Sequence, residues 1–346
     1  MAEDTGNPDA PRDVGGSDVS PERPGVRRAG EPRVAVLIPC YNEERTIAKV
    51  VGDFGRIAPG ATVYVYDNNS TDASGRLAAE AGAIVVPEYR QGKGFVIRSM
   101  FRDIDADCYV MVDADDTYPA DEAMAMVDLV VSGEADMVIG DRLSSTYFQE
   151  NKRRLHGVGN RLVRMLVNRI FRSDIKDIMT GCRCFSRRFV RAFPVLSTGF
   201  EIETEMTIHA LDKGFLVREV PITYRDRVEG SQSKLRTVSD GARVLRTIAS
   251  LFKDYRPLQF FGLVALVLFA VSTAMFVPPL DEYLVTGYVR RVPTLVVSIA
   301  FGISALLSLV CAVVLDSTRK QSRQFYELAL TAFALREAGR DPRGGR

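Results

Sequence analysis

Tryptophan is absent, histidine occurs twice, and the five cysteines (Cys40, Cys108, Cys182, Cys184 and Cys311) are scattered through 346 residues without paired zinc-type spacing. Cys182-Arg-Cys184 offers half a thiolate site and no second pair accompanies it, so the thiols are read as reduced and structural. Charge of one sign is lacking too. The 45 Lys+Arg and 44 Asp+Glu leave a net charge of +1, which gives no global drive toward nucleic acid and confines anion binding to local clusters. No Gly-x-Gly-x-x-Gly turn comes after the first strand-like run, which removes the main support for a dinucleotide fold and hydride transfer. Arg90-Gln-Gly-Lys-Gly94 lacks the spacing of a Walker loop and the Ser or Thr after its lysine. Residues 1–32, rich in Pro, Gly, Asp and Arg, contain no apolar run and read as a disordered tail. The tail also lacks the apolar core of a secretory signal, so the domain after it is expected to stay in the cytosol.

Regular structure is predicted from Val34-Ala-Val-Leu-Ile-Pro39, a continuous apolar run of strand length. After Cys40-Tyr-Asn-Glu-Glu44, Ile47, Val50, Val51 and Phe54 recur at helical spacing. The pattern repeats. Thr62 to Asp67 reads as a strand ending in turn and N-cap residues, Ala83 to Val86 as a third, Cys108 to Val112 as a fourth, and Ala135 to Arg142 as a fifth. Val217 to Tyr224 reads as a late edge strand because of its proline. Strands that alternate with helices and lack polar alternation indicate a parallel sheet covered on both faces.

In such sheets ligands sit outside the carboxyl ends of the strands. Those ends here read Pro39-Cys-Tyr-Asn-Glu43, Asp67-Asn68 and Asp113-Ala-Asp115, all polar where a site is expected. Side chains at i and i+2 of an extended segment share a face, so Asp113 and Asp115 can converge while Asp116 points elsewhere and is expected to tolerate substitution. Two hard oxygen ligands suit Mg2+ or Mn2+ completed by substrate phosphates, although a lone Asp-x-Asp is equally an acidic loop cap. The glycines of Arg90 to Gly94 could let backbone and Lys93 approach a diphosphate, or mark a flexible surface loop. The basic run Asn151-Lys-Arg-Arg154 precedes a helix through Leu162, Leu166 and Ile170, and Glu201, Glu203 and Glu205 suit a helix N-terminus.

From Ser231 the chain changes character. Leu235, Val238, Val244, Leu245, Ile248 and Leu251, interspersed with Lys and Arg, suggest a basic amphipathic helix at a membrane surface. Two uncharged apolar segments come next, about Leu258 to Val277 and Thr294 to Leu315, each near the roughly 20 residues a bilayer span needs. Lys253, Arg256, Arg319, Lys320 and Arg323 at the outer ends place both termini in the cytosol, with Arg290 and Arg291 in the connecting loop acting against that orientation.

Taken in order, Ile38-Pro-Cys-Tyr-Asn-Glu-Glu44, Asp67-Asn-Asn-Ser-Thr-Asp72, Gly92-Lys-Gly94, Asp113-Ala-Asp115, Gly140-Asp-Arg142 and Ser233-Lys-Leu235 resemble the motifs of family 2 glycosyltransferases. The resemblance is narrower to the polyprenyl-phosphate enzymes related to dolichol-phosphate mannose synthase. It implies a GT-A fold, a Rossmann-like, mostly parallel α/β sheet with helices on both faces, plus a juxtamembrane helix and a two-helix transmembrane hairpin. The implied divisions are a tail (1–32), a catalytic domain (33–230), an amphipathic segment (231–257), two spans (258–316) and a cytosolic helix and tail (317–346).

The resemblance further implies that Pro39, Tyr41 and Glu43 line the nucleotide pocket, that Asp67 and Asn68 meet the base, and that Lys93 lies near the diphosphate. Asp113 and Asp115, with Ala114 between them, would hold the metal and sugar nucleotide. Arg142 with Arg153 or Arg154 would grip the lipid phosphate, while Arg227, Ser233 and Lys234 would lie on a loop closing over the diphosphate. Two positions depart from the pattern. Asn68 stands where a second aspartate is common, and Thr117 stands where the dolichol-phosphate enzymes commonly carry Gln, leaving a third protein ligand open.

The implied partners are a nucleotide sugar, a polyprenyl phosphate and the inner (plasma) membrane, with no nucleic acid, a cytosolic catalytic domain and homo-oligomerisation left open. The implied reaction is an inverting, metal-dependent sugar transfer to the lipid phosphate. A processive polysaccharide synthase usually carries Gln-x-x-Arg-Trp, which a chain without Trp cannot supply. A non-catalytic membrane-anchored scaffold is the alternative from another class.

Overall fold

The computed structural model describes residues 31–144, 154–199, 201–225, 250 and 252–338. A 7-stranded mixed sheet runs in the order β3-β2-β1-β4-β6-β5-β7. Its strands are β1 (Val34–Cys40), β2 (Thr62–Asp67), β3 (Ile84–Pro87), β4 (Cys108–Met111), β5 (Met137–Asp141), β6 (Arg183–Ser186) and β7 (Val217–Pro221). Between them lie α1 (Ile47–Ile57), α2 (Ser74–Glu80), α3 (Lys93–Asp103), α4 (Ala120–Ala125), α5 (Val127–Val131), α6 (Arg154–Phe171), α7 (Arg187–Ala192) and α8 (Ile202–Lys213). Two long helices complete the chain, α9 (Pro257–Thr286) and α10 (Val292–Ala338).

Both faces of the sheet are buried, as continuous apolar runs require. Along β1, Ala35 and Leu37 enter one core with Tyr109, Met111 and Phe185, while Val36, Ile38 and Cys40 enter the other with Val65, Val110 and Val138. The chain lays β2 and β3 down outward from β1 and then returns to place β4 on its other side, with Ala35 opposite both Thr62 and Tyr109. The topological switch point therefore falls between β1 and β4, where the strands' carboxyl ends open a crevice.

β6 is the antiparallel member of the mostly parallel sheet that was expected, and the strand itself was not anticipated. It runs antiparallel to both β4 and β5, pairing Val110 with Cys184 and Ile139 with Arg183. Arg183 interrupts the apolar pattern that would have announced a strand, yet it is fully buried. Its guanidinium donates to the carbonyls of Ile178 (2.6 Å) and Thr180 (3.1 Å) and to Thr207 Oγ1 (2.9 Å). Burial lowers its pKa to about 10, against the pull of Glu203 and Asp177. Cys182 and Cys184 face the core, where burial raises both thiol pKa values.

α9 and α10 form an antiparallel hairpin long and apolar enough to cross a membrane. Small residues sit at their contact. Ala265, Ala305 and Ala312 are buried there, Ser272 Oγ donates to the Ser298 carbonyl (2.7 Å), and Ser308 Oγ donates to that of Phe261 (3.0 Å). The tail helix expected from Phe325 to Leu335 is continuous with α10, because neither Gly nor Pro occurs between Gly302 and Gly339 to break it. The far half of α10 docks on the sheet domain. Arg319 pairs with Asp212 (2.6 Å), and Tyr326 contacts His209 Nε2 (3.0 Å) and donates to the Ala192 carbonyl (3.2 Å). The expected amphipathic segment falls mostly outside the described residues.

Candidate active site

The loops leaving β1 and β2 are laced together by polar side chains. The amide of Asn42 donates to Ser70 Oγ (2.9 Å), that of Glu43 to Ser74 Oγ (2.7 Å), and that of Thr71 to Asn42 Oδ1 (2.8 Å). Asn42 and Asn69 adopt positive φ (54° and 60°), which asparagine tolerates better than other non-glycine residues. This lacing sets Tyr41 and Glu43 beside Asp67, which pairs in register with Cys40, while Pro39 lies opposite Tyr66. Asp67 Oδ1 accepts from the Ser70 amide (3.2 Å).

Asn68 does something the sequence did not announce. Its Nδ2 donates to the carbonyls of Glu88 (2.9 Å) and Arg90 (2.7 Å), and its Oδ1 accepts from Gly92 N (2.7 Å) and Gln91 Nε2 (3.3 Å). All four hydrogen-bonding positions of the carboxamide are taken, so Asn68 latches the Arg90–Gly94 loop to the end of β2 and has no capacity left for a base. Glu88 braces the same loop by accepting from Arg90 and Ser99. The Arg90 guanidinium, ahead of the opposing effect of burial, lowers the Glu88 pKa to about 2.

The loop's glycines also have a packing role. A Cβ on Gly92, whose φ is 136°, would collide with the Thr198 carbonyl, and one on Gly94 would collide with that of Ser197. The bare backbone is needed to pack against the 197–198 segment, and this packing starts α3 with Lys93 pointing inward. Lys93 Nζ lies 2.6 Å from both Asp113 Oδ1 and Glu203 Oε1. Burial alone would lower the ammonium's pKa, but the two carboxylates outweigh it and the net shift is upward.

β4 ends at Met111, so the three carboxylates sit on a turn and not on the strand itself. Thr46 Oγ1, just ahead of α1, donates to the Ala114 carbonyl (2.7 Å) and ties this turn to the β1 loop. Asp115 is buried and accepts from Thr117 Oγ1 (2.7 Å). That bond makes Thr117 a positioner of Asp115. Asp113 is wedged against Gly181, where any Cβ would strike its carboxylate. Tyr118 fixes that backbone by accepting from Gly181 N (3.1 Å). Asp116 turns away at φ 58° to meet Lys49 (2.7 Å) and Arg225 (3.6 Å).

Across Tyr118 lies Arg142, held in a fork by Asp177 through Nε (2.7 Å) and Nη2 (3.0 Å). It also stacks on Tyr224, 5.4 Å from the ring centre, and Tyr224 in turn meets Tyr118 edge-on at 5.6 Å. Arg154 opens α6; its side chain, with Arg153, Arg227, Ser233 and Lys234, lies outside the described residues. Sequence reasoning missed Asp177 and Tyr118 and gave Glu203 only a helix-terminal role. A glutamate in the apolar register of α8, 4% exposed, was the signal available for the last.

Among the described residues no group of three or more His, Cys, Asp or Glu side chains could hold a metal ion. Asp113 and Asp115 are hard oxygen donors on one turn, so a cation held there would have to draw the rest of its shell from a phosphate ligand and water and not from a closed protein cage.

Residues 35–193 match the model of glycosyl transferase family 2. A glycosyltransferase of Haloferax volcanii, AglJ, is 34% identical over 85% of this chain and 98% of its own length. The chain is a family 2 glycosyltransferase. Two other relatives of this glycosyltransferase carry more specific names. The dolichyl-phosphate hexose transferase of H. volcanii is 30% identical over 64% of this chain and 95% of its own. The polyprenol monophosphomannose synthase of Mycolicibacterium smegmatis is 30% identical over 57% and 79%. In fold, the glycosyltransferase resembles glucosyl-3-phosphoglycerate synthase of Mycobacterium tuberculosis, with a TM-score of 0.51, 22% identity, and coverage of 67% of this chain and 85% of that one. That synthase has been crystallised with Mn2+ and UDP.

Proposed function

We propose that this glycosyltransferase transfers a sugar from a nucleotide sugar to the phosphate of a polyprenyl phosphate, on the cytosolic side of the membrane that α9 and α10 cross. The observation that carries this reading is the double engagement of α8. Near its start Glu203 faces Lys93 and Asp113, and near its end Asp212 grips Arg319 of α10. A 12-residue helix is about 18 Å long, so the polar crevice is fixed close to a span-length hairpin, where a lipid phosphate would emerge. The names of the two relatives with lipid phosphates support the same acceptor class.

The chemistry is set by the charge distribution. An oxygen of the lipid phosphate attacks the anomeric carbon while the bond from that carbon to the nucleoside diphosphate breaks, and the diphosphate leaves with the electron pair. The carbon is inverted. A phosphate monoester with a second pKa near 6 is largely a dianion at neutral pH, so no general base is needed. Mg2+ or Mn2+ held by Asp113 and Asp115 would neutralise charge on the leaving diphosphate. Thr117 holds Asp115 in place, Lys93 and Gly181 set the position of Asp113, and Arg142, kept in orientation by Asp177, presents positive charge on the acceptor side. Catalysis here is positioning and electrostatic stabilisation.

Membranes containing the protein, incubated with radiolabelled UDP-glucose, UDP-N-acetylglucosamine, UDP-galactose or GDP-mannose, test the reading. Label entering the organic phase with one donor supports it. Label in polymer, or transfer with none of the donors, contradicts it.

A further inference from the structure

A second basic site lies away from the carboxylate crevice. At the end of α6, a cavity of about 460 Å3 is lined by Arg169, Arg172 and Arg256 together with Leu166, Ile170 and Phe252. Among the described residues, no acidic side chain lines it. Arg154 and Arg169 stand near opposite ends of α6, an 18-residue helix of about 27 Å, so the cavity is distinct from the N-terminal end where the family resemblance places the acceptor phosphate.

Three features of the cavity point to one kind of ligand. Its cations come from two separate segments, and Arg256 fastens them by donating to the Ile170 carbonyl, which also satisfies part of the helix end. Three guanidiniums with no carboxylate among the described lining leave a strongly positive hollow, which suits a phosphate-type anion. Apart from Gln259, the rest of the described lining is apolar (Leu166, Ile170 and Phe252), as the first methylenes below a headgroup require. The height also fits, because Arg256 immediately precedes Pro257, the first residue of α9. A basic pocket at the cytosolic end of a membrane helix is a recurrent form of anionic-headgroup site.

We infer that this cavity binds the phosphodiester headgroup of an anionic phospholipid of the surrounding bilayer, separate from the acceptor lipid. The inference rests on α9 and α10 being inserted in a membrane. Arg169 and Arg172 would clamp the phosphate while Leu166 and Phe252 contact the upper acyl chain. Such a lipid would fix the depth of α6 and so the height of the crevice above the bilayer.

The test uses the full-length protein in detergent, with native mass spectrometry counting bound phosphatidylglycerol against phosphatidylcholine, for the wild type and for Arg169→Gln/Arg172→Gln. The wild type is expected to retain phosphatidylglycerol selectively, and the double variant to lose roughly thirtyfold in affinity for it. Sugar transfer to a water-soluble short-chain acceptor should be unchanged, which shows that the variant is folded. Equal retention of both lipids, or equal phosphatidylglycerol binding by wild type and variant, would overturn the proposal. Displacement by millimolar inorganic phosphate would overturn it in favour of a soluble anion, and preferential capture of polyprenyl phosphate in favour of an acceptor subsite. Recovery of the protein from cells in the soluble fraction without detergent would instead defeat the membrane reading on which the proposal rests.

Discussion

Lys93 donates to Asp113 across 2.6 Å from a side chain that is only 9% exposed. Glu203 accepts from the same ammonium at 2.6 Å, so one buried cation holds two carboxylates. Lys93→Met should therefore leave both acids without their counter-charge and cost about 3–5 kcal/mol, the usual penalty for halving a buried pair. The folded-state pKa of Lys93 is raised, so its contribution is fully present below the unfolded value of about 10.4 and is lost as pH rises beyond it. Denaturation of wild type and variant should thus differ by a constant amount between pH 7 and 9, with the gap closing only in strong alkali. A variant as stable as wild type at pH 7 would remove the pair from the site.

Asn68→Asp is nearly isosteric yet replaces two donated bonds with a carboxylate facing the Glu88 and Arg90 carbonyls. A loss of about 1–3 kcal/mol is expected, together with a raised KM for the nucleotide sugar as the loop loosens. A lower KM would restore the base-contact role that the sequence suggested.

Gly181→Ala should act on Asp113 directly, since the new methyl group and the carboxylate claim the same space. Sugar transfer is expected to fall on the order of a hundredfold, as for a displacement of about 1 Å in a reacting group, with the enzyme still folded by circular dichroism. Activity within threefold of wild type would show that Asp113 is not held in its working position.

Acid should release the Arg90–Gly94 loop late. The folded pKa of Glu88 is lowered to about 2, so its stabilising contribution is present above the unfolded value of about 4.3 and fades as pH falls toward 2. The stability difference between wild type and Glu88→Gln should be flat from pH 5 to 8 and shrink below pH 4. A difference that vanished already at pH 5 would contradict the Arg90 pairing.

Asp116 is expected to accept Asn and to resist Val. It contributes to no proposed ligand set, but its φ of 58° penalises a β-branched residue by about 1–3 kcal/mol. Thermal melting of the two variants separates freedom of side-chain chemistry from freedom of backbone.

The parts legible in the sequence were those set by local pattern. Val34 to Pro39 reads as a buried strand because every residue is apolar, and Ile47, Val50, Val51 and Phe54 are buried together as their spacing requires. The switch point between β1 and β4 agrees with strands whose ends were all polar. What escaped was non-local. β6 carries Arg183 at its start, and carbonyls from the preceding loop together with Thr207 on α8 make that burial tolerable. The glycines around Lys93 have a further neighbour that residues 90–94 do not reveal, the carbonyls of Ser197 and Thr198. Asp113 and Asp115 stand out in the sequence by their spacing at a strand end, but the turn that carries them depends on Thr46 and Gly181, both far away in sequence.

The central claim is sugar transfer to a lipid phosphate through the Asp113–Asp115 turn. The direct measurement is organic-phase radiolabel formed by purified protein in vesicles with and without added polyprenyl phosphate, for wild type and Asp115→Ala. The expected result is label that requires the added lipid and falls at least a hundredfold in the variant. Label formed by Asp115→Ala at near wild-type rate, or wild-type transfer indifferent to the lipid, would contradict the account.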